Sequence, residues 1–281
     1  MTDLTVRTYG GGGAPVIVLH GGPAAIGQVE PLARELGKRW HVLEPFQRGS
    51  RRAEALAKAG GSRSLTVATH VEDLDELVRE RCSGAPPALV GHSWGAMLAL
   101  AYAAAHPATP STLVLIGCGT FSLRARAVFE ARLEARLTPA QRASLAELAR
   151  ADIDDNRRLA LIGRVYDDAY GYDLANPGPE IPTLDARAFD ETWSDMLRLQ
   201  QEGVYPAAFA AIRAPVLMLH GTDDPHPGPL IRDDLQRYIP KLEYRELPEC
   251  GHSPWLERRA KREFFVLLEA WLGTHAQRAR G

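Results

Sequence analysis

Apolar runs of strand length, each bounded by turn-forming residues, punctuate the chain at 15–20, 40–45, 87–91, 112–117, 215–220 and 242–247. Continuous apolar runs, as opposed to alternating ones, are expected of strands covered on both faces, so most of these are read as buried parallel strands. Helix-length segments fall between them at 28–37, 69–81, 94–106, 229–238 and 258–272. Strand and helix therefore alternate, which predicts an α/β fold with a mostly parallel, doubly wound sheet. The 94–106 segment is apolar nearly all round and predicts a helix pressed onto the sheet. Gly10-Gly11-Gly12-Gly13 predicts a turn between two early strands.

The alternation stops between residues 120 and 214. This stretch is rich in Ala, Arg, Leu, Glu and Asp, has helical spacing over 124–137 and 139–151, and is interrupted by Asn176-Pro177-Gly178-Pro179. It predicts a helical cap at 120–214 inserted into a core made of 1–119 and 215–281. Such an insertion would overhang the carboxyl ends of the strands, where open α/β sheets bind ligands. A length of 281 residues suits one domain with an insertion.

Composition removes several function classes. Apolar residues make up 45%, charged residues 24%, and the net charge is −2, so no electrostatic field gathers nucleic acid or an anionic membrane. Neither is expected as a partner. The first residues show no basic segment followed by an apolar stretch, and no uncharged apolar run reaches about 18 residues, so a cytoplasmic protein is expected. Cys82, Cys118 and Cys250 are odd in number and lack CxxC spacing, which predicts packing thiols without a disulfide or a metal site. No cofactor is implied, and nothing in the sequence speaks to oligomeric state.

The chemistry is concentrated at strand ends. Gly91-His92-Ser93-Trp94-Gly95 lies between an apolar strand run and the Ala-rich helix, the order of a nucleophile elbow. A serine needs a base, an acid to orient that base, and donors for an oxyanion. After the 215–220 run comes Gly221-Thr222-Asp223-Asp224-Pro225, and after the 242–247 run comes Gly251-His252. His252 is the expected base. Asp224 is the preferred acid and Asp223 the alternate, a choice that rests in part on the resemblance below. His20-Gly21-Gly22-Pro23 follows another strand and offers side-chain-free backbone donors, so Gly22 and Trp94 are the expected oxyanion pair. Arg48, Arg51, Arg52 and Arg63 are read as a solvated basic loop, since no glycine-spaced phosphate cradle accompanies them. Asp152, Asp154, Asp155, Glu191, Asp195 and Glu202 put acids in the cap, and most of them are read as simply exposed. Trp193, Tyr166, Phe189 and Tyr205 either line a pocket or pack helices; the sequence leaves this open.

These motifs resemble the α/β-hydrolase superfamily, and most nearly its proline iminopeptidase-related branch. The residues that carry the resemblance are His20-Gly21-Gly22-Pro23, Phe46-Gln47-Arg48-Gly49-Ser50, the elbow with Leu98-Ala99-Leu100-Ala101-Tyr102 and His106-Pro107, His220-Gly221-Thr222-Asp223-Asp224-Pro225, and Gly251-His252. It covers nearly all of the chain outside the cap. The resemblance implies an α/β-hydrolase fold, a triad of Ser93, Asp224 and His252, and oxyanion donors at Gly22 and Trp94. The chain departs from the branch in three places: Pro45-Phe46 precede Gln47, where those enzymes read Asp-Gln-Arg-Gly; His92 precedes the serine in place of a glycine; and their tryptophan-glutamate cap motif is missing. The expected activity is accordingly hydrolysis of a small carboxylic ester or related acyl substrate through an acyl-enzyme. The alternatives are an aminopeptidase that takes a short peptide and a non-enzymatic ligand receptor that retains the triad. Acyl transfer is a further enzymatic option.

Overall fold

A computed structural model describes residues 4–23, 28–49, 65–82, 84–175 and 184–276. Ser50, Arg51, Arg52, Arg63 and the motif at 176–179, all weighed above, lie outside the described residues.

Seven strands form a single sheet in the order β1-β3-β2-β4-β5-β6-β7. They are β1 (Val6–Tyr9), β2 (Pro15–Leu19), β3 (His41–Pro45), β4 (Ala88–His92), β5 (Thr112–Ile116), β6 (Val216–Gly221) and β7 (Glu243–Leu247). Only β1 runs antiparallel, against β3; all other pairings are parallel. The expected mostly parallel sheet is present, and each apolar run of the sequence is one of its strands.

The central strands are apolar except for His92, Thr112 and His220 at or next to their ends, because alternate side chains enter two different cores. Leu113 and Leu115 of β5 join a cluster with α2 (Val67–Arg81) and α3 (Trp94–Ala105), while Val114 and Ile116 join one with α1 (Glu30–Leu36) and α9 (Lys261–His275). A strand's side chains alternate between faces, so covering both faces favours apolar residues at successive positions. Helix α3 buries ten of its twelve residues, which accounts for its lack of a polar face. At the sheet's edge β7 keeps charged Glu243, Arg245 and Glu246. All three cysteines are free and buried.

Between β5 and β6 lie α4 (Leu123–Arg136), α5 (Pro139–Leu148), α6 (Asp155–Tyr170) and α7 (Ala186–Gln201). These helices bury little surface, α5 none of its residues, and their starts are held locally. Ser122, Thr138, Asp154 and Asp185 each accept a backbone N–H of the first turn, and Thr138 with Gln141 makes a full capping box. Helices α3, α8 (Gly228–Gln236) and α9 have no such side-chain cap and are held by burial instead. Among the described residues no helix is long and apolar enough to cross a membrane.

Candidate active site

Ser93 sits where β4 turns into α3, with φ 55° and ψ −117°. Positive φ is strained for a residue that carries a Cβ. The chain can turn this sharply because its flanks are glycine: a Cβ on Gly91 would stand 2.3 Å from the Gly95 carbonyl oxygen, and one on Gly95 the same distance from that of Leu19. The Ser93 side chain makes no capping bond to its own helix, so its hydroxyl is not spent there.

His252 is brought to the elbow by two routes. The Ser93 N–H donates to Ile116 at 2.9 Å, and a Cβ on the next residue, Gly117, would fall 2.8 Å from His252 Nδ1. His92, adjacent to the serine, lies 4.6 Å from the His252 ring, and its Nε2 is 3.1 Å from the His252 carbonyl oxygen. A carbonyl only accepts, so His92 donates through Nε2.

Asp224, 1% exposed, meets His252 from the end of β6. His252 Nδ1–H donates to Oδ2 at 2.7 Å, while Oδ1 accepts both the backbone N–H of His226 at 2.9 Å and His226 Nδ1–H at 3.0 Å. His220 Nε2 lies 3.3 Å from Oδ2 and donates to the His226 carbonyl at 3.0 Å. Burial opposes the charge on Asp224, but the neighbouring His252, His226 and His220 and the His226 hydrogen bond outweigh it and hold the carboxyl well below its ordinary range. The ionised carboxylate fixes the proton of His252 on Nδ1 and leaves Nε2 as a lone pair, the tautomer a base requires. The alternate acid, Asp223, is turned elsewhere and accepts the Thr222 hydroxyl at 2.9 Å.

On the other side of the elbow, Gly21 packs so closely that a Cβ would lie 3.0 Å from the Ser93 Cβ, and Gly22 follows at φ 44°. Gln47 anchors this loop: its amide donates to the His20 carbonyl at 2.9 Å, its backbone N–H to His20 Nε2 at 3.2 Å, and its Oε1 accepts Trp94 Nε1–H at 2.7 Å. The loop bearing Gly22 and the residue after the serine are thereby tied to one side chain.

Several residues here went unassigned by sequence. Glu257 is fully buried and accepts Gly251 N–H and Tyr172 N–H at 2.9 Å each and Asp173 N–H at 2.6 Å, which clamps the chain after α6 to the loop of His252. In the sequence it sits in Leu256-Glu257-Arg258-Arg259, which reads as surface. His226 stacks between Phe129 of α4, at 4.2 Å, and His252, at 4.8 Å. Its position two residues after Asp224 was the available signal.

Two bland readings need correction. Arg48 is no solvated charge; its Nε and Nη2 grip both carboxylate oxygens of Asp73. Of the cap acids, Glu191 and Asp195 on α7 accept Leu65 N–H at 3.2 Å and Val67 N–H at 2.8 Å, serving the donors at the start of α2.

Asp224, His226 and His252 offer ligand atoms within 4.8 Å of one another and are where a cation would bind, but the same atoms are engaged in the hydrogen bonds above. A cleft of about 340 Å³ lined by Arg136, Gln141, Asp168, Tyr172 and Asp223 includes none of Ser93, Asp224 or His252, so its volume gives no argument about substrate.

Burial holds His20 and His226 down at about 4 and His70 at about 3. These folded values lie below the unfolded value near 6.5, so the unfolded chain takes up protons first as pH falls. Stability is complete above about 6.5 and is lost toward about 4, each group contributing about 1.4 kcal/mol per pH unit inside that window. Between pH 7.5 and 5.5 the three together remove roughly 4 kcal/mol, on the order of 8–10 °C in Tm. Thermal melts followed by circular dichroism test this; a flat Tm over that range would contradict neutral buried histidines.

The sequence profile of the Alpha/beta hydrolase family matches residues 16–264. The chain belongs to that family. Among curated proteins it is similar to the proline iminopeptidase of Lactobacillus helveticus, 24% identical over 277 residues that span 93% of this chain and 90% of that protein. The proline iminopeptidase of Neisseria gonorrhoeae is 31% identical over 201 residues, 71% of this chain and 61% of that one. Among solved structures, VinJ matches with a TM-score of 0.70 at 22% identity over 98% of this chain and 97% of its own, a likeness of fold. The resemblance to the proline iminopeptidase branch that the motifs carried is thus borne out in the chain's relatives.

Proposed function

We propose that this chain is a cofactor-independent serine hydrolase that cleaves a small acyl substrate, an ester in the first instance, through an acyl-enzyme. Ser93 is the nucleophile, His252 the base, Asp224 its orienting acid, and the N–H groups of Gly22 and Trp94 form the oxyanion hole. The observation that carries this reading is the bond from His252 Nδ1 to a buried, ionised Asp224, which leaves Nε2 basic beside the elbow. In the reaction His252 Nε2 takes the proton of Ser93 as its Oγ attacks the carbonyl, then returns it to the leaving group. Water repeats the cycle on the acyl-enzyme. The 120–214 insertion serves as the cap that shapes the pocket.

A second reading, release of an N-terminal residue from a short peptide, is favoured by the names of the curated relatives. Rates on p-nitrophenyl esters and on prolyl-p-nitroanilide separate the two. Ester cleavage at least tenfold faster in kcat/KM supports the first, and the reverse order supports the second. A fluorophosphonate probe that leaves Ser93 unlabelled in folded protein would favour a receptor that merely retains the triad.

A further inference from the structure

One charged group beside the proposed active site, the Arg126 guanidinium, has a nitrogen without a hydrogen-bond partner among the described residues. Arg126, on α4, keeps its Nη2 buried without a hydrogen bond, and among the described residues it makes no ion pair. Burial pulls its pKa below the ordinary arginine value; the charge that bears on it is that of Glu130, one turn along the same helix. The guanidinium remains protonated at neutral pH. A guanidinium nitrogen withdrawn from water without an acceptor is unfavourable unless a bound group supplies one.

Its position suggests what does. The Arg126 Cζ lies 5.2 Å from the ring centroid of Trp193 on α7, so the pair bridges two cap helices. Three residues along the same face of α4, Phe129 stacks on His226, which holds Asp224. On the α7 side, Thr192, next to Trp193, contacts His70 at 3.1 Å, and the His70 ring lies 5.9 Å from that of Trp94. The neighbour of Arg126, Ala125, is buried in one cluster with Met97 of α3 and Phe121. Arg126 and Trp193 thus lie on two helices whose other residues reach His226 on one side and, through Thr192 and His70, Trp94 on the other.

We propose that Arg126 is a specificity residue that binds a carboxylate on the acyl portion of the substrate, so that the preferred substrates are half-esters or half-amides of short dicarboxylic acids. This rests on the serine hydrolase reading above. A guanidinium fork matches a carboxylate in geometry and charge, and one arginine stacked on an indole suits a single anionic group better than a phosphate, which usually takes several donors. The same charge repels the free amino terminus of a peptide, so Arg126 also separates the ester reading from the aminopeptidase one.

The test compares mono-p-nitrophenyl glutarate with p-nitrophenyl pentanoate, which have the same acyl length and differ at the far end in a carboxylate. The wild-type chain is expected to favour the glutarate in kcat/KM by about tenfold or more, and Arg126→Gln to lower that ratio about a hundredfold. Arg126→Lys, which keeps charge but loses the fork, lowers it about tenfold and serves if the glutamine variant does not fold. A merely structural arginine would depress both esters together and leave the ratio unmoved; that result, or a wild-type preference for pentanoate, overturns the proposal. Binding of glutarate to Ser93→Ala protein, measured by calorimetry with and without Arg126→Gln, scores the site apart from turnover. Fluorophosphonate labelling of Ser93 scores the nucleophile. An unlabelled serine with Arg126-dependent glutarate binding rejects the hydrolase and keeps the site; a labelled serine with no glutarate binding does the opposite.

Discussion

Ser93→Ala is expected to reduce ester turnover by about 10⁶-fold in kcat while leaving the Tm within about 2 °C of wild type. The catalytic loss follows from the chemistry: without Oγ no acyl-enzyme forms, and what remains is whatever the oxyanion donors and substrate binding achieve with water. The intact fold follows from the geometry. Alanine carries the same Cβ into the same φ of 55°, so it adds no strain beyond what serine already bears, and the serine hydroxyl caps no helix whose stability would be lost with it. Initial rates on p-nitrophenyl esters, with melts on the same samples, check both halves. Turnover within tenfold of wild type would remove Ser93 from the mechanism.

What the sequence revealed and what it hid divide along a physical line. The central parallel strands were legible because each is covered on both faces and reads as a largely apolar run, as Leu113 to Ile116 does. β1 was foreseen only through the glycine turn, since Val6–Tyr9 is a half-exposed edge with no such run. Between β5 and β6, α4 and α5 were legible from helical spacing, whereas α6 and α7 were not picked out from a stretch dense in charge. The proposed site residues Ser93, His252, Gly22 and Trp94 each stand in a short motif at or just after a strand's carboxyl end, whereas the preference for Asp224 over Asp223 rested in part on the resemblance. Glu257 and Arg126 could not be picked out, and His226 offered only its place two residues after Asp224. The meaning of each comes from partners far away in sequence: Glu257 from Tyr172 and Asp173, His226 from Phe129, Arg126 from Trp193. Asp195 was misread for the same reason, since the donor it serves, the Val67 N–H, is 128 residues distant.

His226 also sets the outcome of Asp224→Asn. The carboxylate accepts at both oxygens: two donors from His226 converge on Oδ1 and one from His252 reaches Oδ2. Asparagine has one oxygen and one NH₂, so it must choose which side to satisfy. Placing the amide oxygen at Oδ1 keeps two hydrogen bonds and gives up one, whereas the reverse flip keeps one and sets the NH₂ against two donors. The first arrangement is favoured, and it points the amide NH₂ at His252 Nδ1. That nitrogen then becomes the acceptor, the proton moves to Nε2, and the base can no longer take the proton of Ser93. The expected result is a fall of about 10⁴-fold in kcat at neutral pH, with labelling by the fluorophosphonate probe slowed in parallel, because both need an unprotonated Nε2. Removing the side-chain donor of His226 should weaken the choice: in the double variant Asp224→Asn, His226→Ala only the backbone N–H of residue 226 still favours oxygen at the Oδ1 position, the two flips come closer in energy, and part of the lost rate returns relative to the single variant. Rates for the single and double variants at saturating ester decide it. A double variant slower than Asp224→Asn by more than His226→Ala alone slows the wild type would show that His226 does not select the flip.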